Sequence, residues 1–411
     1  MKKTLLILGS IVAILLVAFL LWSFAGRDKN ISPGEAVREL LPFGEGDNLG
    51  QPTTDDKQLT TKGEDLSQIF DESGVPIADL FRISDTPVAG AVAFTRPSTS
   101  SGQVGQTVVR FVDRATGHVI ETILPKGEAL VPLEKKKVTN NTIPKVYEAY
   151  FRPDGNFVLL RMLENDSDRQ RNLILDLTST SSTAINLRGE MTSIAVGSGN
   201  ILYYADKGSG NIVSSPFNGG AMRTILTSPF TNWRVTVSEN GILVHTKASI
   251  ESPGYAYTVG SGRSLNKILG PLTALSAVPN SAGTSVLYSY NNGTLQLRAK
   301  NLRTGAETEI SPTTLAEKCV WSAKQPEIIF CGSPIDGVAE NEPDNWYRGT
   351  SSFSDRFWKF DVNKEIAEVV AEPKSLLGVE IDTIRPQLSP SEDYLIFMNK
   401  RDMTLWAFRL N

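Results

Sequence analysis

A short apolar triplet returns at nearly constant spacing along residues 66–411, and this repeat constrains the fold more than any other feature of the sequence. The triplets, each placed just after a turn-like cluster, begin at Val92, Val158, Ile201, Ile242, Val286, Ile328 and Leu395. Four of the intervals between them measure 41 to 44 residues, whereas the first measures 66 and the last 67. We interpret the two long intervals as the same unit with an insertion.

Each repeat unit predicts four short strands joined by tight turns. The segment AYFRPDGN before Val158 contains a Pro-Asp-Gly turn, whose glycine tolerates the positive φ that such turns need. After the triplet at Val286, two alternating runs follow, TLQLRAKNL at 294–302 and ETEI at 307–310. Alternating apolar and polar residues with many β-branched side chains are typical of half-buried strands. Helical periodicity is absent from 66–411, so we predict four antiparallel strands per unit.

Units of about 40 to 45 residues with four strands each are typical of β-propellers. The segments FRPDGNFVLL (151–160), VWSAKQPEIIF (320–330) and QLSPSEDYLIF (387–397) resemble the WD40-like repeats of bacterial TolB-type propellers. In those repeats an aromatic-Ser-Pro-Asp-Gly motif precedes an apolar triplet. The resemblance implies an all-β fold, a seven-bladed β-propeller of four-stranded antiparallel blades over 66–411. It does not fix the function, because propellers support binding, scaffolding and catalysis alike.

The two ends of the repeat region predict how the ring closes. The last unit offers strands near Arg385–Leu388, Tyr394–Asn399 and Thr404–Leu410, and the chain then stops one strand short. The first unit begins near Phe81, and a further apolar run, Leu66–Phe70, lies upstream. We predict that this run supplies the missing outer strand of the last blade, because pairing the chain ends hides an edge strand.

The N-terminus predicts one transmembrane helix over residues 1–27. Residues 4–26 are uncharged and rich in Leu, Ile, Val and Ala. A helix of this length spans about 34 Å, which is enough to cross the hydrocarbon core of a bilayer. We interpret the segment as an uncleaved signal anchor; the alternative is a signal peptide cleaved after the small-residue motif Ser23–Ala25. Residues 28–65, rich in Pro, Gly, Asp and Thr, are interpreted as a flexible linker that could contain a short helix.

Charge places the propeller outside the cytoplasm and argues against nucleic acid as a partner. Lys2 and Lys3 precede the apolar segment and should stay on the cytoplasmic side, which sends the rest of a single-pass chain across the cell membrane. The chain has 41 basic and 45 acidic side chains, a net charge of −4, and therefore no cationic surface of the kind that nucleic acid requires.

The residues that usually carry catalysis are scarce. The chain has two histidines and two cysteines. His118 follows a hairpin turn and His245 lies within a strand, so we interpret the first as solvated and the second as packed. The sequence contains neither the Gly-x-Ser-x-Gly motif of hydrolases nor a phosphate-binding glycine loop. We therefore predict no catalytic residue, no metal site and no cofactor.

Cys319 and Cys331 fall on the first two strands of one unit. A hairpin whose turn is centred near Gln325 places them opposite each other, so a cross-strand disulfide is geometrically feasible and fits an exported domain. The alternative is a pair of buried free thiols. We favour a structural disulfide.

The long loops predict where a partner binds. Most long segments lie between the second and third strands or between units, so they share one face of the propeller, where recognition usually occurs. The longest loop contains Trp346, Tyr347 and Arg348, residue types that are enriched at binding hot spots. We predict that these residues contribute to binding an envelope protein or glycan. The alternative is that Trp346 and Tyr347 fold back as a lid over the axial opening.

These features together favour a membrane-anchored, extracytoplasmic β-propeller that acts as a protein-interaction or scaffold module of the cell envelope. The alternative is a propeller-type enzyme, similar to a lactonase, a lyase or a sugar dehydrogenase, that acts on a small ligand near the axis. Such an enzyme needs carboxylates, histidines or a metal that converge on the axis.

Overall fold

The computed structural model describes residues 70–71, 75–97, 105–126, 131–164, 169–178, 184–197, 199–260 and 262–410. All of them belong to the unit Glu64–Asn411, one of two units into which the chain divides. The predicted membrane helix at 1–27 and the predicted linker at 28–65 lie outside the described residues. Within the described ranges, no helix combines the length and apolarity needed to cross a bilayer.

The described strands form antiparallel sheets whose strands follow chain order, except that the last sheet also contains the first strand. The first sheet contains β2 (Val88–Arg96), β3 (Gln106–Asp113), β4 (Val119–Ile123) and β5 (Lys135–Lys137). The second contains β6 (Val146–Phe151), β7 (Phe157–Leu163), β8 (Gln170–Asp176) and β9 (Ala184–Leu187). The third contains β10 (Met191–Val196), β11 (Ile201–Asp206), β12 (Ile212–Pro216) and β13 (Arg223–Leu226).

The fourth sheet is longer than the others. It contains β14 (Trp233–Ser238), β15 (Gly241–Thr246), β16 (Pro253–Val259), β17 (Leu265–Pro279), β18 (Ser285–Asn291), β19 (Leu295–Asn301) and β20 (Glu307–Glu309). The fifth contains β21 (Cys319–Trp321), β22 (Ile328–Pro334), β23 (Asp355–Asp361) and β24 (Ile366–Ala371). The sixth contains β25 (Thr383–Leu388), β26 (Tyr394–Asn399), β27 (Leu405–Arg409) and β1 (Leu80–Arg82). Two short helices, α1 (Asp344–Arg348) and α2 (Pro373–Leu377), and a 3-10 turn at Ala316–Lys318 lie between strands.

Neighbouring sheets pack face to face through apolar side chains, and the last sheet packs against the first. Val112 of the first sheet and Leu160 of the second belong to one buried cluster. Phe111 of the first sheet and Ile396 of the sixth belong to another. Each such side chain contributes about 1.5 to 3 kcal/mol of hydrophobic stabilisation when it is fully buried. The sheets therefore close into a ring, which is the arrangement of a β-propeller.

Strand β17 belongs to two halves of the fourth sheet. Its first part pairs with β16 from Val259↔Leu265 onward, and its second part pairs with β18 as far as Pro279↔Val286. The strand changes partner at Thr273, which pairs with both Pro253 of β16 and Asn291 of β18. Gly270, in the part that pairs with β16, has a φ of 107° in the left-handed region. A side chain at this position would also meet the Gly254 carbonyl oxygen at 2.5 Å, so the close approach needs glycine.

The ring closes through a different strand from the one that was predicted. β1 pairs with β27 in the register Leu80↔Phe408 to Arg82↔Trp406 and supplies the outer strand of the last sheet. The prediction that Leu66–Phe70 fills this place is therefore wrong, as is the start of the first unit near Phe81. Both apolar runs are short in the sequence, but the later run is fully buried at Leu80 and Phe81. Of the earlier run only Phe70 is described, in an isolated bridge with Pro76.

Candidate functional site

The longest described loop joins β22 to β23 over residues 335–354 and carries the helix α1. The helix is a single turn that ends at Gly349, where a φ of 79° gives the left-handed conformation that commonly stops helices. We call residues 335–354 the cap loop. It lies between the second and third strands of its sheet. The sequence predicted the longest loop at this place, on the face of the propeller where a partner was expected to bind.

The cap loop is fixed to the fourth sheet by hydrogen bonds. The carboxylate of Asp344 accepts hydrogen bonds from Ser249 Oγ at 3.1 Å and from the Ile250 backbone N–H at 2.8 Å. Asn291, at the end of β18, donates from Nδ2 to the Glu340 carbonyl oxygen at 3.0 Å. These contacts join the loop to two separate hairpins of the fourth sheet.

The other side of the cap loop is fixed to the sixth sheet. Trp346 Nε1 donates to Asp382 Oδ2 at 2.9 Å, and Asp382 directly precedes β25. Arg401, in the β26–β27 turn, donates from Nη1 to Ser352 Oγ at 2.9 Å. The cap loop therefore bridges the fourth and sixth sheets across the fifth, and its backbone is held from both sides.

A buried ionic cluster lies beneath the cap loop. Lys318 Nζ lies 2.9 Å from Asp355 Oδ2 and also contacts Asp382 Oδ1, and all three side chains have zero exposure. Burial raises the pKa of Asp355, and the neighbouring Lys318 opposes that rise. The three side chains come from the segments that precede β21, begin β23 and precede β25, so the cluster joins the fifth and sixth sheets under the loop.

The three predicted binding residues differ in their exposure to solvent. Trp346 is 4% exposed and stacks on Phe353 with a centroid distance of 6.2 Å. Tyr347 is half-buried, and its hydroxyl donates to Glu317 Oε1. Arg348 is exposed. Trp346 and Tyr347 thus pack against the body of the propeller, and both the contribution of the three residues to binding and the lid over the axial opening stay predictions.

Burial shifts the pKa values of three side chains at the cap loop, namely Tyr347, Glu317 and Lys400. It raises the pKa of the Tyr347 phenol well above its usual value, and the nearby Glu317 carboxylate adds to the rise. Burial also raises the pKa of Glu317, against the effect of the Tyr347 hydrogen bond. Lys400, whose Nζ lies 4.8 Å from the Trp346 ring centroid, has a pKa lowered by burial. These groups support the loop from below and do not face solvent freely.

The two cysteines lie in the fifth sheet. Cys319 of β21 pairs in register with Cys331 of β22, and their sulfur atoms are bonded. Both residues are buried. The bond ties the short strand β21 to the fully buried strand β22, directly after Lys318.

A second candidate site is a cavity of about 600 Å³ near the axis of the propeller. It is lined by the innermost strands β2, β6, β10 and β25. Alanine side chains on three of these strands leave the space open: Ala91, Ala93, Ala149 and Ala195. The polar side chains of Tyr150, Arg385 and Gln387 also line it. Sequence reasoning missed this cavity, although alanines on the innermost strands were its signal.

Arg385 is the charged side chain of that cavity. It lies at an irregular position of β25 with a φ of 49°, and its Nη2 is 2.9 Å from Glu148 Oε1 and 3.2 Å from the Tyr150 hydroxyl. Glu148 also forms an ion pair with Arg161, which is 5% exposed. Two guanidinium groups thus share one carboxylate, which leaves an excess positive charge at the cavity wall.

The two histidines lie outside the cap loop and outside the lining of the axial cavity. His118 Nε2 is 3.4 Å from Thr142 Oγ1 beside a turn of the first sheet. His245 is buried in β15, where burial lowers its pKa to about 4. Among the described residues, no three His, Cys, Asp or Glu side chains are grouped so that they could hold a metal ion.

No protein-family model and no curated protein matches the chain. Among solved structures, the chain is similar to TolB from Acinetobacter baumannii at 12% identity and a TM-score of 0.41, over 72% of this chain and 64% of that chain. It is similar to virginiamycin B lyase from Staphylococcus aureus at 9% identity and a TM-score of 0.50, over 81% and 98%.

The GH74 xyloglucanase from Xanthomonas campestris is similar at 11% identity and a TM-score of 0.51, over 81% of this chain and 54% of that chain. At such low identities the likeness concerns the fold alone. The β-propeller resemblance inferred from the repeats is thus confirmed for the fold, and the activity is not defined by it.

Proposed function

We propose that the chain is a membrane-anchored, extracytoplasmic seven-bladed β-propeller that acts as a protein-interaction or scaffold module of the cell envelope. The count of seven blades follows if the fourth sheet represents two blades that share β17. Each half then has four strands, and an apolar cluster that includes Leu243 and Val286 separates the two halves. The uncharged segment 4–26 supports the anchor, and the disulfide supports an oxidising compartment.

The observation that carries the binding proposal is the fixed cap loop. A loop that is held by hydrogen bonds on both sides pays little ordering entropy when a partner docks on it. Its outer surface presents the exposed Arg348 and the partly exposed Ile335, while Trp346 supports it from within. We infer that the partner is an envelope protein or glycan, that Arg348 contacts it directly, and that Trp346 and Tyr347 act by holding Arg348 in place.

The test is capture of partners from detergent-solubilised membranes by the full chain. Arg348→Glu should lower the captured amount at least tenfold, which corresponds to about 1.4 kcal/mol, with unchanged thermal unfolding. The control is Arg303→Glu, which reverses an exposed charge in the β19–β20 turn at the other end of the strands. Equal capture by the Arg348 variant and the control would remove the cap loop from the binding surface.

The axial cavity favours one second candidate, an enzyme that acts on a small ligand near the axis, in the manner of a lactonase, a lyase or a sugar dehydrogenase. A volume of about 600 Å³ is in the usual range for small-molecule sites. Turnover of a lactone or an acidic sugar that is abolished in Arg385→Gln but retained in Arg348→Glu would support this candidate over the docking module.

A further inference from the structure

Lys318, Asp355 and Asp382 are three ionisable side chains that solvent does not reach. Each has zero exposure, and together they carry one excess negative charge when all are ionised. Aromatic rings cover the amine: Lys318 Nζ lies 4.8 Å from the centroid of Phe353 and 5.3 Å from that of Trp346. An apolar surrounding penalises each buried charge, so transfer of a proton from the ammonium to a carboxylate relieves part of that cost.

The two aspartates differ in their hydrogen bonds, and this difference assigns their roles. Asp382 accepts hydrogen bonds from Trp346 Nε1 at 2.9 Å and from the Phe353 backbone N–H at 3.0 Å, and both of its carboxylate oxygens have donors. Asp355 accepts a hydrogen bond from the Thr383 backbone N–H at 2.7 Å on Oδ2, but its Oδ1 is buried and has no hydrogen-bond partner in the described part of the chain. Burial raises the pKa of this carboxyl. Burial therefore favours the protonated form of Asp355, and Oδ1 is the oxygen that would carry the proton.

The amine is close enough to the Asp355 carboxyl to react with it. With Nζ 2.9 Å from Oδ2, ordinary bond geometry places Nζ about 3 to 4 Å from Cγ, near the distance of about 3 to 3.5 Å of productive encounters. The backbone on both sides is fixed. Lys318 ends a 3-10 turn, and Asp355 begins β23, which pairs along its length with β22.

We propose that Lys318 and Asp355 condense to an intramolecular amide, with Asp382 as the group that transfers the proton. The lone pair of the neutral Nζ attacks Cγ of Asp355. Asp382 takes a proton from Nζ and delivers it to Oδ1, the Cγ–Oδ1 bond breaks, and one water molecule leaves. The reaction consumes nothing but the two side chains, so it needs no oxidant, reductant or cofactor.

The amide is more compatible with this buried position than the two ionisable side chains that it replaces. A neutral amide replaces an amine and an acid whose burial is costly in either ionisation state. It joins the residue before β21 to the first residue of β23, at the base of the cap loop and next to the Cys319–Cys331 bond. The cap loop would then be closed at its base by a bond that reductants do not cleave.

The experiment is peptide mapping by mass spectrometry on the full chain, after reduction and alkylation of the cysteines. Trypsin does not cleave after an acylated lysine, so we expect one branched peptide that contains both Lys318 and Asp355. Its mass should be that of the two component sequences less one water molecule. Recovery of Lys318 and Asp355 only in linear peptides of full mass would overturn the proposal, and this measurement needs no variant to fold.

Variants locate the bond and assign the proton transfer. Lys318→Met should abolish the branched peptide, and Asp382→Asn should lower its fraction at least tenfold in freshly produced protein. The matched control is Lys364→Met, which removes a lysine that is paired with Asp361 on the surface and is 71% exposed, and it should leave the branched peptide unchanged. A bond that persists in Lys318→Met would refute the assignment, and full cross-linking in Asp382→Asn would refute the role of Asp382.

Discussion

At the residue scale, burial decides what the ionisable side chains of this propeller can do. His245 is 6% exposed, and its Nδ1 lies 2.9 Å from the Thr246 carbonyl oxygen. Burial of the imidazole lowers its pKa from 6.5 to about 4, and the nearby Arg234 acts in the same direction. The folded protein thus holds a neutral histidine over a pH range in which the unfolded chain binds a proton.

This difference predicts an acid-sensitive contribution to stability. The free energy of unfolding should fall by about 3 kcal/mol through His245 as the pH falls from about 6.5 to about 4, because only the unfolded state gains a proton there. Urea unfolding at about pH 7 and about pH 4.5 measures this loss, and His245→Asn should show correspondingly less of it. An identical pH dependence in the wild type and the variant would contradict the buried, neutral histidine.

At the scale of elements, the cap loop depends on Trp346 and much less on Arg348. Trp346→Ala removes a buried indole and its hydrogen bond to Asp382, and should lower the free energy of unfolding by about 3 to 5 kcal/mol. Arg348→Ala, at an exposed position, should change it by less than about 0.5 kcal/mol. Urea titrations compare the two, and equal effects would show that the indole does not support the loop.

The bond between β21 and β22 predicts a redox-dependent stability. Its sulfur atoms close a loop with a sequence separation of 12, which corresponds to about 2 to 3 kcal/mol in the chain-entropy estimate. Dithiothreitol should therefore lower the urea midpoint of the wild type and leave that of the Cys319→Ser, Cys331→Ser double variant unchanged. A reductant effect of the same size in both proteins would exclude the disulfide as its source.

The strands and pairings that could be predicted from the sequence are those that a pattern of neighbouring residues defines. The strand Tyr394–Asn399 and the pairing of Cys319 with Cys331 could be predicted because a turn followed by an apolar run defines a hairpin locally. The inward position of Trp346 could not be decided, because its partner Asp382 lies 36 residues further along the chain. The Lys318 cluster was invisible for the same reason, since its members meet only when the fifth and sixth sheets pack together.

At the scale of the whole molecule, ring closure rests on β1. Sequence pattern could not separate Leu66–Phe70 from the run that contains Phe81, since both are short apolar segments and only long-range pairing with β27 distinguishes them. Phe81→Ala should lower the free energy of unfolding by about 3 to 5 kcal/mol and promote aggregation through the freed edge of β27. The control Ile366→Ala, on an outer strand and 56% exposed, should do neither. Similar unfolding of the two variants would contradict closure through β1.

The central claim is that the cap-loop face of an exported propeller is where a partner docks, and site-specific photocross-linking tests it most directly. A photoreactive amino acid replaces either Arg348 on the cap loop or Arg303 in the β19–β20 turn of the full-length protein, in the cells that produce it. The account predicts a discrete adduct from position 348 and none from position 303. Adducts of the same kind from both positions, or none from position 348, would contradict it.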